Sequence, residues 1–121
     1  MAVTAGSASR ATRPEGALIY RLSGDDNPLH ADPAAARAAG FEGPILHGLA
    51  TYGVACHAVL KTVCDSQPER LAVLYARFSA PVYPGETIRT ELWLDGTAVR
   101  FRSRVVERDV AVLNSGRAEL R

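Results

Sequence analysis

The stretch from Gly48 to about Cys64 most strongly limits what this chain can fold into. Apolar residues recur along it at steps of three and four, which is the period of a helix. Small and apolar residues between them leave little of its surface polar, and a helix that is apolar nearly all round is buried. About seventeen residues of helix make a rod of roughly 25 Å. The sequence therefore predicts one long, buried helix.

The second half of the chain has the pattern of β-strands. Apolar and polar residues alternate within the segments 87–94 and 98–106. The segment 71–78 is rich in strand-forming residues, and Val110, Val112, Ala118 and Leu120 outline a last strand. Asp95-Gly96 is a hairpin signal, and the stretch from Asn114 to Gly116 indicates a bulge or bend in the last strand. Consecutive strands beside one buried helix predict an α+β fold in which an antiparallel sheet wraps around the helix.

The first half has weaker signals. Residues 1–13 are small and polar, and we expect them to be a disordered tail in front of a single domain at residues 14–121. A short helix should end before Gly24. A second should begin at Pro33, because Asp32 is a favourable N-cap and proline suits the first helical position.

The loop between these two helices contains the candidate chemistry. Asp25 and His30 lie five residues apart in a segment where Pro28 prevents a regular helix. Such a loop can turn a carboxylate and an imidazole toward one point, as acid–base catalysis requires. Taken alone, the pair is better explained by turn capping or by pairing with neighbouring surface groups, since a short pattern is weak evidence of function.

The entry to the long helix is a second candidate. The N–H groups in the first turn of a helix have no partner within it, so they can stabilise a developing oxyanion. Gly48 would allow the close approach that this requires, because it has no side chain to obstruct a ligand.

Composition excludes several functions. The net charge of +1 implies no nucleic-acid or acidic-membrane partner, and no apolar run is long enough for a membrane span. Cys56 and Cys64 are eight residues apart and resemble two buried thiols in a reducing compartment, so we expect a cytoplasmic protein. The three histidines lack ligand spacing, and no metal is expected.

Three segments give the chain a family resemblance. YRLSGDDNPLHADP, the following AGFEGPILHGL and the later ARFSAPVYPGETIRTE resemble the MaoC-like (R)-specific enoyl-CoA hydratases of hot-dog fold. The similarity is strongest to the catalytic C-terminal half of the double hot-dog hydratase 2 enzymes, and it extends from about Pro14 to the C-terminus. D-x-N-P-L-H followed by P-I-L-H-G is a specific signature.

The resemblance implies catalytic roles for three residues. Asp25 and His30 would hold one water and activate it, and Gly48 would bind the thioester oxygen through its backbone. Asp26 is a rival carboxylate, but the motif places the role on Asp25, directly after Gly24.

The resemblance also implies a substrate-binding set, formed by Asn27, Pro28, Leu29, His47 and Phe78. Each has an alternative explanation that is purely structural. Asn27 suits an Asx turn before Pro28, and His47 can bond to backbone at the helix start, so no proton transfer is assigned to it. Phe78 is by default an aromatic residue of a strand core.

The implied reaction is reversible addition of water to a trans-2-enoyl-CoA, giving the (3R)-3-hydroxyacyl-CoA. No metal or organic cofactor is expected, because water is the second substrate and the thioester provides the activation. The carrier could be acyl carrier protein instead of CoA. Alternatives are a hot-dog thioesterase and a non-catalytic subunit that binds acyl-CoA.

An oligomer is expected as well. Single-domain relatives begin with an additional strand, whereas residues 2–11 have little β character. The chain thus resembles a catalytic half without its companion half, and a sheet lacking a strand leaves a surface for another chain to cover. We expect a homodimer or a hetero-oligomer with another hot-dog chain.

Overall fold

The structure is a computed structural model that describes residues 3–121. The described strands are β1 (Val3–Ala11), β2 (Leu71–Phe78), β3 (Thr87–Asp95), β4 (Ala98–Val105) and β5 (Val110–Leu120). The helices are α1 (Gly16–Tyr20), α2 (Pro33–Ala38) and α3 (Gly48–Val63), with short 3-10 turns at Arg21–Ser23, Pro28–His30 and Pro68–Arg70. The strands form one antiparallel sheet in the order β1-β3-β4-β5-β2. This is the predicted α+β hot-dog architecture, a sheet curved around one long helix.

The prediction of a disordered tail over residues 1–13 is wrong for residues 3–11, which form β1. This strand pairs antiparallel with β3, from Val3 opposite Leu94 to Ala11 opposite Thr87. Its alanines, serines and glycine have poor intrinsic strand propensity, but the open edge of β3 supplies backbone partners, and such context outweighs propensity. The sheet therefore does not lack its first strand, and the domain begins at Val3 instead of Pro14. Met1 and Ala2 lie outside the described residues.

The core lies between α3 and the inner face of the sheet. One cluster centres on Ala55 and Val59 of α3, and it includes fully buried residues of the strands, namely Leu92, Val99, Leu113 and Ala118. A second cluster surrounds Leu46 at the helix entry, with Val82, Ile88, Val105 and Val112. Together they fix the start of α3 against the sheet.

The long helix is buried on one side only, which corrects the expectation of burial all round. Thr51, Ala55, Ala58 and Val59 are buried, whereas Leu49 is 65% exposed. The sheet is a single layer, so within this chain it covers only the face of α3 that points toward it. No helix among residues 3–121 is long and apolar enough to cross a membrane.

The local turn predictions are confirmed. Gly96 has a φ of 62° in the hairpin that pairs Asp95 with Ala98. The pairing of β5 shifts register near Gly116, and Ser115 has a φ of 53°, as expected for a bulge. At the start of α2, the Asp32 side chain accepts a hydrogen bond of 2.9 Å from the Ala34 amide, which makes it the predicted N-cap.

Candidate active site

The loop after α1 is shaped by turn chemistry. Gly24 ends the first 3-10 turn with a φ of 109°, a left-handed conformation that side chains disfavour. The Asn27 side chain then caps the next 3-10 turn by accepting a hydrogen bond of 3.0 Å from the Leu29 amide. Asp25 lies between Gly24 and the Asn27 cap, and its side chain is 52% exposed. The capping explanation of Asn27 is therefore confirmed.

His30 is oriented by the segment that leads into α3. Its Nδ1 lies 2.7 Å from the carbonyl oxygen of Ile45. A carbonyl oxygen can only accept, so Nδ1 carries a proton and the neutral ring keeps Nε2 free as a base. The Ile45 amide in turn donates to the Leu29 carbonyl at 3.0 Å. These two bonds join the loop to the helix entry and hold the imidazole in one orientation.

His47 is the buried centre of the site. Its ring, 1% exposed, is stacked between the rings of Tyr20 and His30, with centroid distances of 4.3 and 3.8 Å. Its Nε2 donates to the backbone carbonyl of Asp25 at 3.1 Å and lies 3.7 Å from the Asp25 carboxylate. The Nδ1 atom has no hydrogen-bond partner among residues 3–121. One side chain thus contacts both candidate catalytic groups.

Asp25, His30 and His47 converge, since one polar atom of each lies within 4.8 Å of the others. A single water can bridge two groups at this separation, because each hydrogen bond spans about 2.8 Å. The set does not suit a metal ion. The Nε2 atom of His47 carries a proton, because it donates to the Asp25 carbonyl, so it has no lone pair to offer a metal.

The first turn of α3 presents free donors. The amides of Ala50 and Thr51 donate to the His47 carbonyl at 3.0 and 3.2 Å. Those of Gly48 and Leu49 have no acceptor in the part of the chain that the structure describes. A Cβ atom added to Gly48 would lie 3.3 Å from the Phe78 ring. A side chain here would therefore extend into the space between the start of α3 and Phe78.

An apolar cavity opens beside these donors. Its volume is about 220 Å³. Its walls come from the helix entry and from the turn after β2, and the residues that line it are Phe41, Ile45, Leu46, Gly48, Thr51, Phe78, Ala80, Pro81 and Val82. The Leu46 amide donates to the Val82 carbonyl at 2.7 Å, which ties the two walls together.

A charged network supports one wall of this cavity. Arg108 forms two hydrogen bonds with Glu86 and also donates to the Pro81 carbonyl at 2.8 Å. The hydrogen bonds that Arg108 donates to Glu86 raise the pKa of Arg108 further above its usual value. Glu86 also accepts from the Tyr83 amide at 2.6 Å. The turn from Pro81 to Glu86 is thereby held in place from both sides.

The structure brings together most of the predicted site residues. Asp25, His30 and His47 form one cluster, and Gly48 and Phe78 meet at the adjoining cavity. Pro28 and Leu29 belong to the 3-10 turn that positions His30. Phe78 is 59% exposed, so it is not the core aromatic of the alternative explanation.

Two residues of the site were missed from sequence. Tyr20 stacks on His47, and the carbonyl of Ile45 orients His30. Tyr20 is the first residue of the quoted motif YRLSGDDNPLHADP, so its position in that motif was a usable signal. The backbone contact of Ile45 has no signal in the sequence.

Cys64 is fully buried in the core, and this burial raises the pKa of its thiol.

The chain is similar to proteins that have been described before. Residues 3–115 match the family model of the MaoC like domain. The chain is 51% identical over 102 residues to "Enoyl-CoA hydratase 2, peroxisomal" of Arabidopsis thaliana, covering 84% of this chain and 33% of that protein. It is 48% identical over 103 residues to "Enoyl-CoA hydratase ChsH3" of Mycobacterium tuberculosis, covering 85% of this chain and 36% of that protein.

A solved structure agrees with these matches. The full-length peroxisomal multifunctional enzyme type 2 of Drosophila melanogaster superposes with a TM-score of 0.91 at 44% identity, covering 95% of this chain and 22% of that one. The chain spans about a third of the length of the two hydratases named above. Because the family model spans nearly all of the described residues, and relatives share about half of the matched positions, the chain belongs to the MaoC-like domain family.

Proposed function

We propose that the chain catalyses reversible hydration of a trans-2-enoyl-CoA to the (3R)-3-hydroxyacyl-CoA. The observation that carries the proposal is the convergence of Asp25 and His30 beside the free amide of Gly48. Relatives named enoyl-CoA hydratase support it, since they match most of this chain.

In the proposed reaction, Asp25 and His30 hold one water between them. One of the two removes a proton as the water oxygen forms its bond to C3 of the enoyl group. The other delivers a proton to C2 on the same face, so that OH is added to C3 and H to C2 in a syn addition. Nε2 of His30 is suited to this exchange, because Nδ1 is already committed to the Ile45 carbonyl.

Negative charge develops on the thioester oxygen when C3 is attacked. The Gly48 amide, at the positive end of α3, is placed to donate to that oxygen. Asn27 uses its side-chain oxygen in the cap, which leaves its NH₂ group for the thioester or the water. No step of this scheme needs a cofactor, since the thioester itself activates C3.

The acyl group would lie in the apolar cavity beside Gly48 and Phe78. Its volume of about 220 Å³ lies below the range of roughly 300–1,000 Å³ typical of ligand pockets. A short acyl chain is therefore the substrate that this chain can enclose by itself. A longer tail would need an additional wall.

We propose that a second hot-dog chain supplies that wall in a dimer. A missing first strand is not the reason for this dimer, because β1 is present and pairs with β3. What supports a dimer is a set of exposed large apolar residues around the site, namely Leu18, Ile19, Leu22, Leu49 and Phe78. Strand β2 also has an open edge, where Val73 and Tyr75 are exposed.

Two other functions fit the fold less well. A thioesterase would also use a helix N-terminus and a carboxylate, but it has no need of an imidazole locked against Ile45. A non-catalytic acyl-CoA-binding subunit has no need of Asp25 and His30 at one point.

Crotonyl-CoA tests the proposal. A hydratase removes the enone absorbance without releasing free CoA, so a thiol reagent gives no signal. A thioesterase releases free CoA, and a binding subunit changes neither signal. Loss of absorbance together with (3R)-3-hydroxybutyryl-CoA as the product supports the proposal. Thiol release, or no change at high protein concentration, contradicts it.

A further inference from the structure

A row of four side chains crosses the outer face of the sheet, which α3 does not cover. Trp93 of β3 pairs with Arg100 of β4, Arg100 pairs with Arg117 of β5, and Arg117 pairs with Tyr75 of β2. Residues directly opposite on neighbouring strands point to the same face. The row therefore has two arginines in the middle and an aromatic ring at each end.

The two central arginines lack counter-charges. Arg102 is paired with Glu91 at 3.2 Å, and Arg104 is paired with Asp109. No carboxylate among residues 3–121 lies within 4.0 Å of Arg100 or Arg117. Like charges directly opposite each other destabilise a sheet. An anion bound between them would remove this repulsion.

The row lies in a groove on the outer face of the sheet. Its volume is about 560 Å³, within the range of roughly 300–1,000 Å³ expected for a ligand pocket. The bulge of β5 forms its floor, where Gly116 passes so close to Phe101 that a Cβ atom would lie 2.4 Å from the Phe101 carbonyl oxygen. A side chain at Gly116 would collide with Phe101, so glycine allows the bulge to pack closely on β4 beneath the groove.

We propose that this groove binds a purine nucleoside diphosphate, with the phosphates on Arg100 and Arg117 and the base against Trp93. Paired guanidinium groups suit phosphate, which accepts several N–H groups at once. Strands are about 4.8 Å apart, so the two arginines lie about 5–10 Å from Trp93 along the row, within the span of a nucleotide. The base takes the Trp93 end because Arg102, which lies 5.5 Å above that ring, is already neutralised by Glu91.

Binding of ADP in this groove does not require the proposed hydratase activity, so the two proposals can fail separately. The same chemistry is present in a free nucleotide and in the nucleotide end of a CoA thioester. Competition distinguishes these two sources, because CoA displaces a simple nucleoside diphosphate only if the groove accepts the nucleotide end of CoA.

Trp93 provides the measurement, because it is the single tryptophan of the chain. The indole is excited at the red edge of its absorption, where adenine does not absorb, and ADP is added at constant ionic strength. We expect saturable quenching. Arg100→Ala and Arg117→Ala should each weaken binding by at least about tenfold, the scale of one lost charge-assisted hydrogen bond. Arg77→Ala is the matched control, since Arg77 is exposed on β2 but does not line the groove. It should change the affinity less than about twofold.

Inorganic phosphate and adenosine, added separately, should each bind much more weakly than ADP. If CoA competes with ADP, the occupant is the nucleotide end of the thioester, and Arg100→Ala should also raise KM for a CoA substrate. If CoA does not compete, the occupant is a free nucleotide. The proposal is overturned if ADP produces no saturable change. It is also overturned if Arg77→Ala weakens binding as much as Arg100→Ala, or if phosphate alone binds as tightly as ADP.

Discussion

The imidazole rings of His30 and His47 are stacked, with their centroids 3.8 Å apart and their planes inclined by 22°. His30 is the half-exposed member of the pair and His47 the buried one. The pair therefore joins a group that can meet substrate to a group that can only position it. The hydrogen bond from His47 to the Asp25 backbone extends the same support to the carboxylate.

Removing either of the two proposed catalytic groups should abolish most activity without unfolding the chain. Asp25→Asn and His30→Ala should each lower the rate of crotonyl-CoA hydration by at least about a hundredfold, the scale of a lost acid–base group. Asp26→Asn is the matched control, because Asp26 is an exposed carboxylate next to Asp25 that lies outside the cluster. Near wild-type turnover by a folded Asp25→Asn or His30→Ala protein would show that the role is wrongly assigned.

Replacing His47 should separate its two contributions. His47→Phe keeps a ring for stacking but loses the donor to Asp25, whereas His47→Asn keeps a donor but loses the ring. We expect each to lower turnover by about tenfold to a hundredfold, because small displacements of catalytic groups have large kinetic effects. Nitrogen NMR of the His30 ring should show shifted signals in His47→Asn, because the stacked ring is lost, whereas the tautomer should be kept by the Ile45 carbonyl. His57→Ala, at an exposed position of α3, should leave both signals unchanged. Wild-type turnover in both His47 variants would contradict a positioning role.

A side chain at Gly48 should block the oxyanion position. Gly48→Val should lower turnover by about a hundredfold and change stability by no more than about 1–2 kcal/mol. Because the added atoms would meet the Phe78 ring, adding Phe78→Ala should recover any lost stability. It should not recover turnover. Full activity of Gly48→Val would remove Gly48 from the mechanism.

Two glycines should respond in opposite directions to the same change. Gly116→Ala places a Cβ atom 2.4 Å from a backbone oxygen of β4, so we expect a loss of about 2–3 kcal/mol or more. Gly53→Ala adds a methyl group to α3 where no atom lies within 4 Å, and it should stabilise the chain by about 0.5–1 kcal/mol. Denaturant unfolding measures both. Equal effects of the two substitutions would mean that the bulge does not have the described geometry.

The chain should form a dimer that buries more than about 1,000 Å². Leu49→Asp should dissociate it and slow hydration of long enoyl-CoA more than that of crotonyl-CoA, because the long tail loses its additional wall. Val106→Asp removes another exposed apolar residue and should have neither effect. Light scattering after size exclusion gives the mass. A monodisperse monomer that efficiently hydrates long substrates would refute the dimer. A monomer that becomes active only with another chain would refute self-pairing.

Local signals in the sequence determined much of this protein. The period of the apolar residues placed α3, and Asp32, Gly96 and the region around Gly116 marked a helix cap, a hairpin and a bulge. These features depend on residues that are close along the chain. The motif around Asp25 and His30, together with the later Gly48, identified the candidate site through its family resemblance.

The other features depend on contacts between segments that are far apart along the chain. β1 has no strand signal of its own and exists because β3 offers an open edge. The burial of His47 between Tyr20 and His30, and the alignment of Arg100 with Arg117, join residues from separate elements. Such contacts depend on strand register and on packing between distant segments, and side-chain periodicity carries no information about which segments meet.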